Sequence, residues 1–490
     1  MTAHDPASGD VGLALPLHGA RLIEAGAGAG KTFTLATLVL RLVLERGASM
    51  SRLLVVTFTR AATQELRLRL RRRLRIAKRL LAAGDAPADG EAAIAAEVLR
   101  SAVARDGEAL VRQRIEAALL QLDDAVVATI HGFCHRALRE FGFRAGLLGE
   151  QTVVDDAGDV WDEVATELWR IAANADPAAF GGADVHGLLA ALWGAPEALA
   201  ADLPKLCDPL RDTHPAREDS AAAAALHALR DAAIARFEAR MARRGECTQD
   251  QLIERLWRAT RQPDFAAALA ERWPLMLIDE FQDTDPQQWD IFRALYEAGE
   301  PTQRWLCLIG DPKQAIYRFR GGDLDTYLRA RRFVEAQPQE GPAVATLDAN
   351  YRSTPGVLRA IDTVFGAHPL PFVVEGIAYR PLRAQAAVAD GDLALAGAPA
   401  PALTVHWLPP APHDPAAKPN TALRKGVRNK DEEFALMAAA AVRAVATLLR
   451  DGRLREGDAD RALRPADIAV LVQTNDQVAR MRAALAGAGI

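Results

Sequence analysis

Gly30, Lys31 and Thr32 end a run of small residues whose composition suits the binding of phosphate groups. The run reads AGAGAGKT over residues 25–32, with a short apolar start before it and an apolar, helically spaced stretch after it. This order predicts a strand, a tight loop and a helix, with loop N–H groups and the helix N-terminus directed at phosphate oxygens. In such a loop Lys31 reaches the β- and γ-phosphates, and the Thr32 hydroxyl holds Mg²⁺. A chance surface turn is the alternative, and the flanking strand and helix argue against it.

One position departs from the usual glycine pattern of such loops, because Ala25 stands where the first glycine is expected. The residues predicted to surround the nucleotide phosphates are Ala25, Gly26, Ala27, Gly28, Ala29, Gly30, Lys31 and Thr32.

An acidic pair follows another apolar segment much later in the chain. Asp279 and Glu280 come directly after residues 275–278, which read LMLI. In a nucleotide hydrolase, Asp279 would hold Mg²⁺ directly or through water, and Glu280 would polarise the attacking water as general base. An acidic pair at a strand end can also be an ordinary surface feature. Together with Lys31 upstream, however, it favours a nucleoside triphosphatase.

Apolar segments that alternate with helical stretches predict an α/β fold. The segments at 53–58, 125–130, 275–280 and 305–311 are expected to be strands. Residues 32–44 and most of 59–122 are expected to be helical, with a break near residues 84–87. Near-continuous apolar strands are typical of parallel sheets that are buried on both faces. Ligands of such sheets bind beyond the carboxyl ends of the strands, which places the acidic pair beside the phosphate loop.

The remaining chain divides into two further parts. Residues 146–262 carry many alanines and no convincing strand, which predicts a helical insertion. A second block begins near Ala343 and predicts a loop at 409–420, a helix at 431–449 and a strand at 468–472.

The composition gives no global sign of nucleic-acid binding. The 490 residues have a net charge of −5 and are half apolar, which indicates a globular protein of about three domains. The charge is uneven, because residues 60–79 contain nine arginines or lysines and one acid, Glu65. This basic run is either a solvated helix face or a set of phosphate contacts.

The four cysteines lack metal-ligand spacing and suggest no disulfide framework, which favours a reducing compartment. No apolar run approaches the roughly 18 residues of a membrane span, so a soluble cytoplasmic protein is expected.

Five segments, in this order, resemble the motifs of superfamily 1A, UvrD-like DNA helicases: AGAGAGKT (25–32), VTFTRAA (56–62), LIDEFQDTDPQQ (277–288), GDPKQAIYRFRGGD (310–323) and NYRS (350–353). Within that group, LPLHGARLIEA, TIHGFC and DPKQAIYRFRGGD are most similar to the β subunits of exodeoxyribonuclease V, the RecB family of helicase–nucleases. The resemblance implies a RecA-like P-loop fold with ATP and Mg²⁺ as cofactors.

The resemblance also implies roles for residues around the nucleotide. Gln314 matches the glutamine that contacts the γ-phosphate and couples it to DNA, and Tyr351 matches an aromatic residue that stacks on adenine. Arg352 matches an arginine that a second nucleotide fold supplies across the cleft. Such a guanidinium stabilises the charge of the transferring phosphoryl group, an effect of about 10³- to 10⁵-fold in rate.

Further positions match residues near single-stranded DNA in the family. The aromatic ones are Phe58, Tyr317 and Phe319, and the polar ones are Thr57, Thr59, His131 and Arg320. Aromatic stacking is worth about 1–3 kcal/mol per base and requires no particular sequence. Two alternatives stay open: Phe58 as an ordinary core residue at a strand end, and His131 as a hydrogen-bonded loop histidine.

Two departures from the family pattern affect specificity. His18 stands where these helicases usually carry a glutamine that reads adenine, and imidazole cannot present a donor and an acceptor side by side. Weaker adenine selectivity is therefore expected. Gln473 stands where the family often has an arginine, which implies a reduced DNA contact.

The resemblance implies three domains and a motor function. The expected domains are a first RecA-like ATPase domain (1A) at 1–145 and 263–342, the helical insertion (1B) at 146–262, and an incomplete second RecA-like domain (2A) at 343–490. The expected activity is that of an ATP-dependent 3′→5′ helicase acting on single-stranded DNA and duplex ends, in a heterotrimer with γ (RecC-like) and α (RecD-like) subunits. The family's later helicase motifs and nuclease domain do not occur in these residues, so a fragment or a truncated gene product is expected.

Two other functions remain as alternatives. The first is a nucleotide- and DNA-binding module without motor activity, and the second is an unrelated P-loop kinase or transporter ATPase. The GDPKQ and NYRS segments argue against the second, and no LSGGQ signature occurs.

Overall fold

The computed structural model describes residues 11–83, 90–145, 152–174, 180, 183–207, 221–316, 322–338, 340–385, 390–408, 428–456 and 459–490. Packing divides the chain into two units. The first comprises Met1–Ala25 and Lys31–Leu347, and the second comprises Gly26–Gly30 and Asp348–Ile490.

The described residues of the first unit form eight strands. They are β1 (Gly19–Ala25), β2 (Leu53–Thr57), β3 (Val126–Thr129), β4 (Thr152–Val153), β5 (Glu246–Cys247), β6 (Leu275–Ile278), β7 (Trp305–Gly310) and β8 (Val344–Leu347). Six of them form one parallel sheet in the order β3-β2-β6-β7-β1-β8. The carboxyl ends of β1, β2, β6 and β7 therefore meet at one edge of this sheet.

The helices of this unit are α1 (Val11–Ala14), α2 (Lys31–Arg46), α3 (Arg60–Ala83), α4 (Gly90–Asp106), α5 (Glu108–Leu120), α6 (Ile130–Phe141), α7 (Gly158–Ala173), α8 (Val185–Leu192), α9 (Pro196–Leu206), α10 (Ala221–Arg244), α11 (Gln249–Thr260), α12 (Pro263–Arg272), α13 (Pro286–Ala298) and α14 (Leu324–Ala336).

Helices cover both faces of the sheet, which explains the near-continuous apolar character of its strands. Val55 packs in the core formed with α2, α3, α4 and α5. Its neighbours Leu54 and Val56 pack on the opposite face, in the core formed with α6 and α11 to α14. The predicted α/β fold with a parallel sheet is confirmed, and the four predicted strands and the helix after the phosphate loop lie where they were expected. The break predicted near residue 84 lies outside the described residues.

Helices α7 to α10 form a separate apolar core. Within it, the rings of Trp161 and Phe237 stack with their centroids 4.0 Å apart. The short strands β4 and β5 pair in parallel beside this core. No strand is predicted in residues 146–262, because two-residue strands are too short to show a periodicity. Helix α11 packs through Leu252 and Leu256 with the core of the main sheet.

The second unit contains the strands β9 (Ala349–Asn350), β10 (Arg383–Ala384), β11 (Leu393–Leu395), β12 (Ala398–Pro399), β13 (Gly452–Glu456) and β14 (Ala459–Ala462), and the helices α15 (Pro355–Gly366), α16 (Lys430–Asp451) and α17 (Asn475–Gly487). β9 and β10 pair in parallel, and the other four strands form an antiparallel sheet in the order β12-β11-β13-β14. The helix predicted at 431–449 is confirmed by α16.

The strand predicted at 468–472 is wrong. These residues carry no strand pairing, and Leu471 is 94% exposed. A strand needs a hydrogen-bonded neighbour, and within the described ranges nothing pairs with this segment. The loop predicted at 409–420 lies outside the described residues.

All four cysteines are buried and free, in keeping with the prediction of no disulfide framework. Among the helices in the described parts of the chain, none combines the length and apolar character that a membrane crossing requires.

Candidate active site

The phosphate loop, Gly26–Gly30, connects the end of β1 to Lys31, the first residue of α2. Gly28 and Gly30 have φ values of 71° and 81°, in the left-handed region that favours glycine. The Ala29 N–H donates to the Gly26 carbonyl at 3.2 Å. The N–H groups of Gly28 and Gly30 have no acceptor within the residues that the structure describes. These two N–H groups are available to an anion.

Asn350 forms hydrogen bonds both to the phosphate loop and to the segment that contains Tyr351 and Arg352, the predicted nucleotide contacts. Its Nδ2 donates to the Ala27 carbonyl at 2.6 Å, and its Oδ1 accepts the Arg352 N–H at 2.9 Å. The Tyr351 N–H donates to the Gly28 carbonyl at 2.9 Å. Asn350 is only 2% exposed. Sequence analysis assigned it no role, and its place at the head of the NYRS segment was the only signal available.

Gly28→Ala is expected to lower nucleotide affinity about tenfold or more. A left-handed backbone costs a residue with a Cβ about 1–2 kcal/mol. The added Cβ would also lie 2.7 Å from the Arg352 Cβ and 3.0 Å from the Asn350 Nδ2. Titration with a fluorescent ATP analogue measures the effect.

Gly194→Ala is the matched control for this substitution, because Gly194 lies outside the predicted site. Gly194 also has a left-handed φ, of 69°, and an added Cβ there would meet nothing within 4 Å. It should bind nucleotide nearly as well as the wild type. Equal affinities for the two alanine variants would contradict the role given to the Gly28 conformation.

Lys31 and Glu280 form an ion pair at the sheet edge. The Lys31 Nζ donates to the Glu280 Oε2 at 2.5 Å. Glu280 has a φ of 51°, a left-handed conformation that is uncommon for a residue with a side chain. Its N–H donates to the Asp279 Oδ1 at 3.0 Å. The structure thus brings together three residues that sequence analysis predicted for phosphate binding, metal binding and catalysis.

Asp279 lies directly beyond β6, and its N–H donates to the Val56 carbonyl of β2 at 2.8 Å. Burial, and then the charge of Glu280, raise the pKa of this carboxyl to about 6, while Lys31 opposes the shift. A divalent cation would favour the ionised form. Carboxylate and hydroxyl oxygens are hard ligands that suit Mg²⁺, and Asp279 and Thr32, the second residue of α2, offer one of each.

Gln282 connects the acidic pair to the end of β7. This buried side chain donates through Nε2 to the Glu280 Oε2 at 2.9 Å and accepts the Asp311 N–H on Oε1 at 3.0 Å. Asp311 in turn accepts a hydrogen bond from the Gln314 Nε2 at 2.8 Å. Gln314 is therefore linked to Glu280 through Asp311 and Gln282, neither of which was assigned a role from the sequence.

The threonines that match DNA-contacting positions make local hydrogen bonds at the start of α3. The Thr57 and Thr63 hydroxyl oxygens lie 2.6 Å apart, and the Thr59 Oγ1 accepts the Ala62 N–H at 3.0 Å. Thr57 is buried, Phe58 is half-buried, and Thr59 is exposed. These contacts fix the turn between β2 and α3.

His131 lies in the first turn of α6, which Thr129 caps. Burial lowers the pKa of its imidazole, against the opposing effect of Asp250. A lowered pKa favours the neutral form of the ring.

The other predicted site residues are solvent-exposed or outside the described residues. Tyr351 is 61% exposed, and Arg352 is also exposed. His18 is exposed just before β1, and its carbonyl accepts from the Arg21 Nε at 3.1 Å. Tyr317, Phe319 and Arg320 lie outside the described residues.

Asp285→Asn is expected to raise stability at neutral pH. Asp285 caps α13 by accepting the Gln288 N–H at 2.8 Å, and burial raises the pKa of its carboxyl to about 6. The folded state therefore binds this proton more tightly than the unfolded state. The contribution of this protonated carboxyl to the free energy of unfolding is fully present below about pH 4 and is lost as the pH rises through about 6. At one pKa unit per 1.36 kcal/mol, the shift corresponds to about 3 kcal/mol. The asparagine has one oxygen and loses the hydrogen bond that the Gln288 Nε2 donates to the Asp285 Oδ2 at 2.7 Å, which reduces the gain by about 1 kcal/mol.

Urea unfolding across this pH range measures the gain, which should shrink as the solution is acidified. Asp285→Ala is the control, since it also removes the charge but loses the helix cap, at a cost of about 1 kcal/mol. An asparagine variant less stable than the wild type at neutral pH would refute the expectation.

A parallel α/β sheet with a glycine-containing phosphate loop after one strand and an acidic pair after another defines a P-loop nucleotide hydrolase with a RecA-like fold. Residues 12–335 match the UvrD/REP helicase N-terminal domain, and the chain belongs to this family.

Curated relatives carry the name RecBCD enzyme subunit RecB. The protein from Escherichia coli K12 is 32% identical over 96% of this chain and 48% of its own length. The one from Mycobacterium tuberculosis H37Rv is 35% identical over 96% of this chain and 39% of its own. The one from Mycolicibacterium smegmatis is 38% identical over 63% of this chain and 27% of its own. The chain thus spans less than half the length of these relatives, and the predicted resemblance to UvrD-like helicases and RecB subunits is confirmed.

Proposed function

We propose that the chain is an ATP- and Mg²⁺-dependent DNA helicase motor that moves 3′→5′ along single-stranded DNA. The observation that carries this proposal is the Lys31–Glu280 ion pair beside Asp279, at the edge of a sheet whose sequence matches a helicase domain. Phosphoryl transfer to water requires a cation that binds the phosphates, a carboxylate that binds the metal ion and a carboxylate that accepts a proton from the attacking water.

In the proposed mechanism, Lys31 leaves Glu280 when nucleotide phosphates arrive, and it then neutralises their charge. Glu280, released from the ion pair, accepts a proton from the attacking water. Gln282 keeps its hydrogen bond to the Glu280 Oε2 and so holds this carboxylate in place. Asp279 and Thr32 would hold Mg²⁺, which supplies charge stabilisation to the phosphates.

Gln314 would couple DNA binding to hydrolysis, because hydrogen bonds link it through Asp311 and Gln282 to Glu280. Arg352 would stabilise the transferring phosphoryl group and Tyr351 would stack on adenine, and both follow Asn350, which holds the phosphate loop. The side chains proposed to contact single-stranded DNA are Thr57, Phe58, Thr59, His131, Tyr317, Phe319 and Arg320.

The domains proposed for this motor are a first RecA-like domain at 1–145 and 263–342, a helical insertion at 146–262 and part of a second RecA-like domain at 343–490. The separate core of α7 to α10 supports the insertion. On its similarity to RecB subunits of RecBCD enzymes, we propose that the chain acts in the cytoplasm with γ (RecC-like) and α (RecD-like) subunits, on the ends of broken duplex DNA.

A nucleotide- and DNA-binding module without turnover is the second candidate. The observation in its favour is the unpaired segment 468–472, with Leu471 exposed, which leaves the second unit without an extended parallel sheet in its described residues.

Displacement of a labelled strand from tailed duplexes separates the two candidates. The motor should displace the strand in the presence of ATP when the tail has a 3′ end, and fail with a 5′ tail or a non-hydrolysable ATP analogue. ATP and DNA binding without displacement on either substrate would support the binding module and contradict the motor.

A further inference from the structure

One face of α3 carries a dense row of basic side chains that the active site does not use. Arg71, Arg72, Arg75, Lys78 and Arg79, here called the α3 basic stripe, line a shallow surface hollow together with Leu68. Their spacing places them along one side of the helix. The other side is buried, because Leu66, Leu70 and Leu74 pack in the core. The stripe is therefore a solvent-facing surface of a firmly anchored helix.

Carboxylates balance only part of the charge of the stripe. The ion pairs of the stripe join Arg71 to Asp123 at 3.0 Å, Arg72 to Glu91 at 3.0 Å, and Lys78 to Glu116 at 3.5 Å. Arg75 and Arg79 are exposed and have no ion-pair or hydrogen-bond partner in the described parts of the chain. Within the described residues, the five cations of the stripe face three carboxylates, and Glu91 is shared with the buried Arg73 at 3.4 Å. The stripe therefore carries a local excess of at least two positive charges, on a chain whose net charge is −5.

We propose that the α3 basic stripe binds the phosphate backbone of duplex DNA. Residues 71–79 span about 12 Å at 1.5 Å per residue. A duplex presents one phosphate per ~1.7 Å of axis, so several phosphates fall within that reach. Arginine forks pair with phosphate oxygens in two-point contacts. Leu68 is 66% exposed beside the stripe and offers sugar rings an apolar surface.

Duplex DNA fits the stripe better than a single strand does. Proteins that hold single strands stack the bases on aromatic side chains, whereas the bases of a duplex stack on each other. Residues 60–83 contain no aromatic residue. The stripe would contact only the charged phosphate backbone of the DNA, so its binding would be independent of the base sequence.

The position of α3 connects the stripe to the single-strand contacts of the proposed motor. The helix begins at Arg60, directly after Thr57, Phe58 and Thr59, which are proposed to contact the single strand. Arg75 lies about 22 Å further along the same helix, at 1.5 Å per residue. A rigid element thus carries single-strand contacts at one end and duplex contacts at the other. This inference rests on the proposed DNA motor function.

Fluorescence anisotropy of a labelled blunt duplex, titrated at several salt concentrations between about 50 and 200 mM, tests the proposal. The variant is the double substitution Arg75→Gln and Arg79→Gln. The matched control is Arg243→Gln with Arg332→Gln, two exposed arginines on α10 and α14 that lose the same total charge. ATP hydrolysis stimulated by a short single strand is measured on all three proteins.

The stripe variant should bind the duplex about 10- to 100-fold more weakly at moderate salt, with the slope of log affinity against log salt reduced by about two. The control should match the wild type, and all three proteins should respond alike to the single strand. Unchanged duplex binding by the stripe variant, or an equal loss in the control, overturns the proposal. If the wild type lacks single-strand stimulation, the motor function fails instead, while the duplex measurement still decides the role of the stripe.

Discussion

Lys31→Ala is expected to lower ATP hydrolysis by about 10²- to 10³-fold, because it removes a preorganised cation from the phosphates. Nucleotide affinity should fall as well, since the same cation faces the phosphates in the bound state. In the structure the Lys31 Nζ lies 2.5 Å from the Glu280 Oε2, so its loss also leaves a partly buried carboxylate without its cation. Steady-state hydrolysis and nucleotide titration measure both effects.

Lys205→Ala is the control for this substitution. Lys205 forms an exposed ion pair with Asp202 at 3.3 Å on α9, and such pairs contribute about 1 kcal/mol or less. The control should hydrolyse ATP at the wild-type rate. Normal turnover by the Lys31→Ala protein would remove Lys31 from the mechanism.

Glu280→Gln is expected to separate catalysis from binding. Loss of the general base should slow turnover by about 10²- to 10⁴-fold. Nucleotide affinity should be kept or increased, because Lys31 no longer has to break an ion pair with a charged side chain before it meets the phosphates. The glutamine retains the size of the side chain and an oxygen for the Gln282 Nε2.

The contrast between the two variants is the informative result. Lys31→Ala loses binding and turnover together, whereas Glu280→Gln loses turnover alone. A Glu280→Gln protein that binds nucleotide as poorly as the Lys31→Ala protein would show that the ion pair is required to form the site, and that it does not compete with the ligand.

The strands of the sheet were predictable because burial on both faces imposes a continuous apolar pattern. Leu53–Thr57 and Leu275–Ile278 show it, and every residue of both strands is buried. The phosphate loop and the acidic pair were predictable because each directly follows an apolar strand in the sequence. In a parallel sheet the strands run in the same direction, so groups that follow their carboxyl ends lie at the same edge of the sheet.

The amide side chains of the site were not predictable in the same way. Asn350 reaches the Ala27 carbonyl, and Gln282 reaches the Asp311 N–H, across large separations in the sequence. A buried amide has no periodicity, and its partners are set by the tertiary fold. The strand expected at 468–472 failed for a related reason, since an apolar segment becomes a strand only when a neighbour pairs with it.

Steady-state ATP hydrolysis with and without single-stranded DNA, with Glu280→Gln measured in parallel, decides whether the chain is a DNA-dependent motor. Oligonucleotide should stimulate turnover to saturation in the wild type, and the variant should show no such turnover while still binding nucleotide. Nucleotide and DNA binding by the wild type with no stimulated turnover would contradict the motor function and would leave the chain a binding module.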